Sequence, residues 1–164
     1  MNISIFGLGY VGAVSAGCLA ADGHTVIGVD PNATKVKLIN DGVTPIIEKD
    51  IGEIIAKAVA EKRLWATTNV AEAIADTELS IVCVGTPSER NGSLDLRYIR
   101  NCCEEIGRAL RNKSSWHNVT IRSTILPGTM RNIIIPMLEE SSGKKAGVDF
   151  GICNNPEFLR EGTA

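Results

Sequence analysis

Three glycines and an aspartate carry the first chemical suggestion in this chain. Near the N-terminus, "IFGLGYVG" sets Gly7, Gly9 and Gly12 in a G-x-G-x-x-G spacing, and Asp30 follows eighteen residues after the last of them. Each glycine has its own physical use. Gly7 permits a tight turn, Gly9 lets backbone approach a pyrophosphate, and Gly12 lets a helix pack closely on the preceding strand. A helix opening here would aim unpaired N–H groups and the positive end of its dipole at phosphate. The string is short and glycine is common, so its weight rests on lying between a strand and a helix. Asp30 ends the next apolar run, where a carboxylate can accept hydrogen bonds from a ribose diol. It would also repel the extra phosphate of NADP, which favours NAD. Asp30 could equally cap the helix of "PNATKV", and the two roles are compatible.

Further reactive side chains follow later apolar runs: Thr86 in "VGTPS", Ser123 and Thr124 in "RSTILPGT", and the segment "NNPEFLREG". Hydroxyls and prolines in such places are often turn chemistry, but their joint occurrence favours a cleft. Pro156 suits a first helical position with Asn155 as cap. This predicts a helix that sets Glu157 and Glu161 one turn apart on one face. The plainer reading of Glu157 is a dipole partner, whereas Glu161 could reach a substrate. His24 and His117 precede strands and read as structural. The five cysteines (Cys18, Cys83, Cys102, Cys103, Cys153) are odd in number, lack C-x-x-C spacing and mostly lie in apolar runs. That fits reduced core thiols of a cytoplasmic protein rather than a metal site or a redox pair.

Positioning these groups falls to an alternation of elements. Short apolar runs predict strands at Asn2–Phe6, Thr25–Val29, Leu64–Thr67, Leu79–Val84, Asn118–Arg122 and Asp149–Cys153, continuous in character as for strands covered on both faces. Helical patterns run over Tyr10–Ala21, Asn32–Asn40, Asp50–Lys62 and Asp95–Asn112, and from about Gly128 to Glu140. A short helix after Asn69 has Glu72 in the spacing of a capping box. This is the pattern of an α/β, Rossmann-type, doubly wound and mainly parallel sheet of about six strands with helices on both faces. Right-handed crossovers leave few other topologies. All ligand candidates then fall at the carboxyl ends of strands, where such sheets bind ligands.

Composition narrows the partners. The 164 residues have the size of one domain, with a net charge of −2 and only 4% aromatic residues. This argues against nucleic acid and anionic membranes as partners. No apolar run approaches the roughly 20 residues of a membrane span, and the N-terminus lacks the basic region of a signal peptide.

In order, "IFGLGYVG", "GVDPNATKV", "GVTPIIE", "CVGTPS", "RSTILPGT" and "NPEFLREG" resemble the motifs of the nucleotide-sugar 6-dehydrogenases, the family of the UDP-glucose and GDP-mannose dehydrogenases. The resemblance runs the length of the chain. Its "STILPGT" wording is nearest the GDP-mannose branch, which supplies GDP-mannuronate for polymers such as alginate. It implies two NAD-dependent oxidations of carbon six of a nucleotide sugar, from alcohol to acid. An aldehyde is captured by a cysteine, and the thioester formed next is hydrolysed. The resemblance sets Gly7, Gly9, Tyr10, Val11, Gly12, Asp30, Lys35, Thr86, Ser123 and Thr124 around NAD. Thr124 and Glu161 lie close to the reacting sugar, with Glu161 positioning water or acting as a base. Glu157, Phe158, Leu159 and Arg160 are its substrate-binding neighbours. The family's nucleophilic cysteine belongs to a G-G-x-C-x-P-K-D motif, and none of the five cysteines here has that context. The chain is therefore expected to be an N-terminal portion, inactive alone, that precedes a dimerising helix and a nucleotide-sugar domain. Homodimerisation would run through those later regions. UDP-glucose as substrate, another NAD-dependent hydroxyacid or polyol dehydrogenase, and a non-catalytic NAD-sensing module remain as alternatives.

Overall fold

A computed structural model describes residues 1–90 and 92–159. Strands β1 (Asn2–Phe6), β2 (Thr25–Val29), β3 (Leu64–Thr67), β4 (Leu79–Val82), β5 (Asn118–Ile121) and β6 (Gly151–Asn154) form one sheet in the order β3-β2-β1-β4-β5-β6. Every pairing is parallel. Helices α1 (Tyr10–Ala21), α2 (Ala33–Asn40), α3 (Ile51–Ala60), α4 (Val70–Asp76), α5 (Arg97–Arg111) and α6 (Ile135–Ser142) make the crossovers. This is the doubly wound order of the Rossmann fold, in which the chain reverses direction between the adjacent β1 and β4.

Strand alternation divides the core into two layers. Ile3, Ile5 and Val26 face Val14, Ile39 and Ile55 of α1, α2 and α3. Phe6, Ile27, Val82, Val119 and Ile121 face Ile74, Ile106 and Leu138 of α4, α5 and α6. Burying each such isoleucine stabilises by roughly 1.5–3 kcal/mol. Cover on both faces, expected for all strands, holds for β1 and β2 alone. In β3, β4 and β5, buried and part-exposed residues alternate, and β6 has no buried residue. The reason is that α1, α2 and α3 lie over β1, β2 and β3. Their face of the sheet therefore stays half-covered at Leu79, Ile81 and Thr120 of β4 and β5, whereas on β3 the opposite face is the half-covered one, at Trp65 and Thr67.

Several element ends differ from the sequence pattern. β4 and β5 stop at Val82 and Ile121, and β6 begins at Gly151. The third helix starts after Asp50, which sits in the left-handed region at φ 63. The last one opens as a π-helical turn at Met130–Ile134. Pro136 has no N–H to donate, and its ring crowds the carbonyl one turn earlier, which widens that turn. Asn69 does cap α4, accepting from Ala71 and Glu72 N–H, but the box is not closed. Its own N–H goes to Thr67 Oγ1 at 3.0 Å, and the Glu72 carboxylate takes the Thr67 hydroxyl. Two of the five cysteines, Cys18 and Cys153, are exposed rather than core.

A polar chain crosses the buried sheet toward the amino ends of the strands. His117 Nδ1–H donates to the Thr77 carbonyl at 3.0 Å. Nε2 is then left to accept from Ser80 Oγ at 2.7 Å, and Ser80 Oγ lies 2.8 Å from Ser4 Oγ. Burial pushes the imidazole down from 6.5 to about 4, helped by the Lys113 charge and opposed by the Thr77 carbonyl. The histidine is thus structural and neutral. The unfolded chain takes up this proton below about pH 6.5, whereas the folded chain resists it until about pH 4. Stability should be full above the unfolded value and decline by up to about 3 kcal/mol as pH falls toward the folded one. Denaturation midpoints measured across that range should show the slope, and His117→Gln should flatten it. An unchanged slope in the variant would assign the effect to other groups.

Candidate dinucleotide site

The crevice between the carboxyl ends of β1 and β4 is built by the glycine turn. Gly7 holds φ +93, donates its N–H to the Val29 carbonyl at 2.8 Å, and lies so near β4 that a Cβ would meet the Cys83 carbonyl oxygen at 3.0 Å. A Cβ on Gly12 would fall 1.8 Å from the Gly7 carbonyl oxygen. The close approach Gly12 permits is therefore between helix and turn. Gly9 differs from both, since a Cβ there would meet nothing within 4 Å. It caps α1 with no side-chain hydrogen bond, and no acidic residue stands in the first turn. The first-turn N–H groups of a twelve-residue helix thus face an open approach. This is the provision a pyrophosphate needs, so the residues present fit a bound dinucleotide.

Asp30 is 5% exposed at the end of β2. Its Oδ2 accepts from Leu8 N–H at 2.8 Å and from Lys35 Nζ at 3.3 Å, and its Oδ1 accepts from Asn32 N–H at 2.9 Å. The aspartate therefore fastens the glycine turn to β2, and the cap of α2 is Asn32, which accepts from Thr34 and Lys35 N–H. An ionised carboxylate offers about four acceptor positions. Lys35, the partly exposed partner, is the one able to move aside for a ribose diol. Tyr10 OH donates to Glu48 of the loop before α3, and so ties that loop to the start of α1. Glu48 carries no local sequence signal for this contact.

On the other side of the crevice, Thr86 Oγ1 donates to the Thr124 carbonyl at 2.7 Å and joins the loops after β4 and β5. Ser123 reaches the same end, but it is buried and its hydroxyl donates to the Val84 carbonyl at 2.6 Å. Its proton ties the two strand ends together. Burial pushes the Cys83 thiol up to about 12, with Arg122 opposing and Glu157 adding. Burial also raises the Cys102 and Cys103 thiols, so these three stay protonated near neutral pH. Among the described residues, no three His, Cys, Asp or Glu side chains gather to hold a metal ion. No helix among them is long and apolar enough to cross a membrane.

The expected helix at Pro156 is absent from Asn155 to Leu159. Asn155 N–H continues the sheet by donating to the Ile121 carbonyl at 2.9 Å. A residue before proline prefers this extended backbone. The Glu157 carboxylate accepts from Leu159 N–H at 2.6 Å, a local bond that competes with helix formation. Phe158 and Leu159 are exposed at the same end, while Arg160 and Glu161 lie outside the described residues. A groove of about 630 Å³ between α4 and α5, lined by residues such as Asn69, Glu105 and Arg108, contains none of these groups.

A doubly wound sheet with a glycine-lined turn, an uncapped α1 and an acidic β2 end is a dinucleotide-binding domain. The chain belongs to the UDP-glucose/GDP-mannose dehydrogenase family, whose NAD-binding domain matches residues 1–164; NAD is its cofactor. It is 60% identical to the GDP-mannose 6-dehydrogenase of Azotobacter vinelandii over 164 residues, all of this chain and 38% of that enzyme. The crystal structure of the Pseudomonas aeruginosa GDP-mannose dehydrogenase superposes with a TM-score of 0.97 at 57% identity, covering 98% of this chain and 37% of that one. A UDP-glucose dehydrogenase from Pyrobaculum islandicum gives 0.92 at 39% identity, covering 99% and 37%. The chain thus spans under two-fifths of the length of these relatives.

Proposed function

We propose that the chain is the N-terminal, NAD-binding part of a GDP-mannose 6-dehydrogenase. The whole enzyme would oxidise carbon six of the sugar from alcohol to acid in two NAD-dependent steps. It would act in the cytoplasm as a homodimer joined through later regions, with GDP-mannuronate for an alginate-type polymer as its product. Identity of 57–60% to GDP-mannose enzymes, against 39–42% to UDP-glucose enzymes, supports the choice of sugar nucleotide.

In this reading Gly7, Gly9 and Gly12 shape the turn, and the N–H groups at Tyr10 and Val11 hold the pyrophosphate. Asp30, beside Lys35, holds the adenosine ribose. Thr86 and Thr124 wall the nicotinamide end, with Ser123 bracing them from below. Bound NAD supplies a hydride acceptor. The chain's own part is to orient it, and to present Glu161 and the segment from Glu157 to Arg160 to the sugar. The nucleophilic cysteine would come from elsewhere in the enzyme, since none of the five cysteines here has the G-G-x-C-x-P-K-D context.

The observation that carries this reading is the open approach at Gly9 to an α1 terminus without a side-chain cap. Cofactor choice tests it. Asp30 is buried and tied to two backbone N–H groups, so it cannot swing away from a 2′-phosphate. Calorimetric titration should find NAD bound at least tenfold more tightly than NADP, a difference of about 1.4 kcal/mol. Equal affinity for the two would remove Asp30 from the ribose.

A further inference from the structure

Arg122 directly follows β5, and its N–H still donates to the Val82 carbonyl at 2.9 Å. Alternation turns its side chain away from the layer of Ile121 and Ser123, toward the half-covered face that Cys83 shares. There Nη1 donates to Asn155 Oδ1 at 3.4 Å. Glu157, two residues further on, raises the Cys83 thiol where Arg122 lowers it. Arg122 Nε is enclosed by protein and has no acceptor among the described residues. A buried donor without a partner is costly, and such groups ordinarily have a reason beyond packing. The segment it meets needs outside support. Pro156 has no N–H, and among the described residues the backbone donors nearby that find partners are Asn155 to the Ile121 carbonyl and Leu159 to Glu157.

We propose that Arg122 is a positioning residue for the segment after β6. Its guanidinium clamps Asn155, so that the chain leaves the sheet in one direction at the carboxyl end of β5. A planar fork is needed for this, and lysine would restore the charge but not the geometry. The consequence for turnover rests on the dehydrogenase reading above; the consequence for the order of the segment does not.

Hydrogen exchange at the bonded amides of Asn155 and Leu159 tests the clamp directly. Arg122→Gln should speed exchange there about tenfold, the scale of one lost charge-assisted bond. Arg122→Lys should fall between, with exchange in α5 unchanged. Asn155→Ala removes only the exposed acceptor, and should reproduce most of the effect even if Arg122→Gln fails to fold. Wild-type exchange in Asn155→Ala would overturn the proposal. In the intact enzyme, Arg122→Gln should raise KM for the nucleotide sugar more than KM for NAD. If the segment loosens while both KM values stay put, the clamp stands and the assignment of this segment to substrate fails.

Discussion

Gly9→Ala should melt within a few degrees of the wild type yet bind NAD at least tenfold more weakly, whereas Gly12→Ala should lose both stability and binding. The two glycines share one motif but meet different surroundings. At Gly9 the backbone is extended, with φ −80, so alanine is tolerated, and its methyl would touch no protein atom. Alanine is a poorer helix cap than glycine, but that costs roughly 1 kcal/mol at most. The methyl instead projects where the backbone must approach phosphate, and a tenfold loss corresponds to about 1.4 kcal/mol of binding. At Gly12 the methyl would meet the Gly7 carbonyl at 1.8 Å, backbone against backbone, with no flexible side chain to yield. Overpacking of this kind typically costs 1–3 kcal/mol, and here about 3 is expected. Relief requires α1 to move off the turn, which also removes its N–H groups from the cleft. Melting curves with and without NAD separate the cases, because a ligand raises the midpoint only of a protein that binds it. A normal NAD-induced shift in Gly9→Ala would place the pyrophosphate elsewhere.

Much of this arrangement was legible from residues whose constraints are local. The glycine turn, α1 and Asp30 at the end of β2 each follow from backbone freedom, periodicity or position within about thirty residues. What escaped depends on partners distant in sequence. Asp30 and Asn32 are equally good caps by composition. The Leu8 N–H, 22 residues away, draws the Asp30 carboxylate to the turn and leaves Asn32 to cap α2. Asn155 and Pro156 read as a helix start, but the neighbouring Ile121 carbonyl takes the Asn155 N–H and prolongs the strand. Tyr10 and Glu48 meet across 38 residues with no periodic signal. Ser123 is different, because its direction could have been read from alternation. It lies two residues beyond Ile121 and so shares the buried layer, which leaves Arg122 for the opposite face.

Glu161→Gln should slow turnover of the intact enzyme by about 10²–10⁴-fold, the usual contribution of a general base or water-positioning group. The substitution keeps size and hydrogen-bonding capacity while removing the ability to take a proton. NAD affinity should barely change, because the dinucleotide groups at Gly9, Asp30 and the start of α1 lie on earlier strands. A fall in kcat with little change in KM for the nucleotide sugar is the signature of an interaction made only in the transition state. If the main task of Glu161 is to activate water, the thioester between enzyme and sugar should accumulate and be detectable as added mass. Glu157→Gln is the internal comparison. Its carboxylate accepts from Leu159 N–H at 2.6 Å, and a glutamine oxygen can accept the same bond, so the loss should be within about 1 kcal/mol of stability, the difference between a charged and a neutral acceptor. Single-turnover and steady-state measurements on the two variants decide between them. Wild-type turnover in Glu161→Gln would make both glutamates structural and leave Thr124 as the residue of this chain nearest the chemistry.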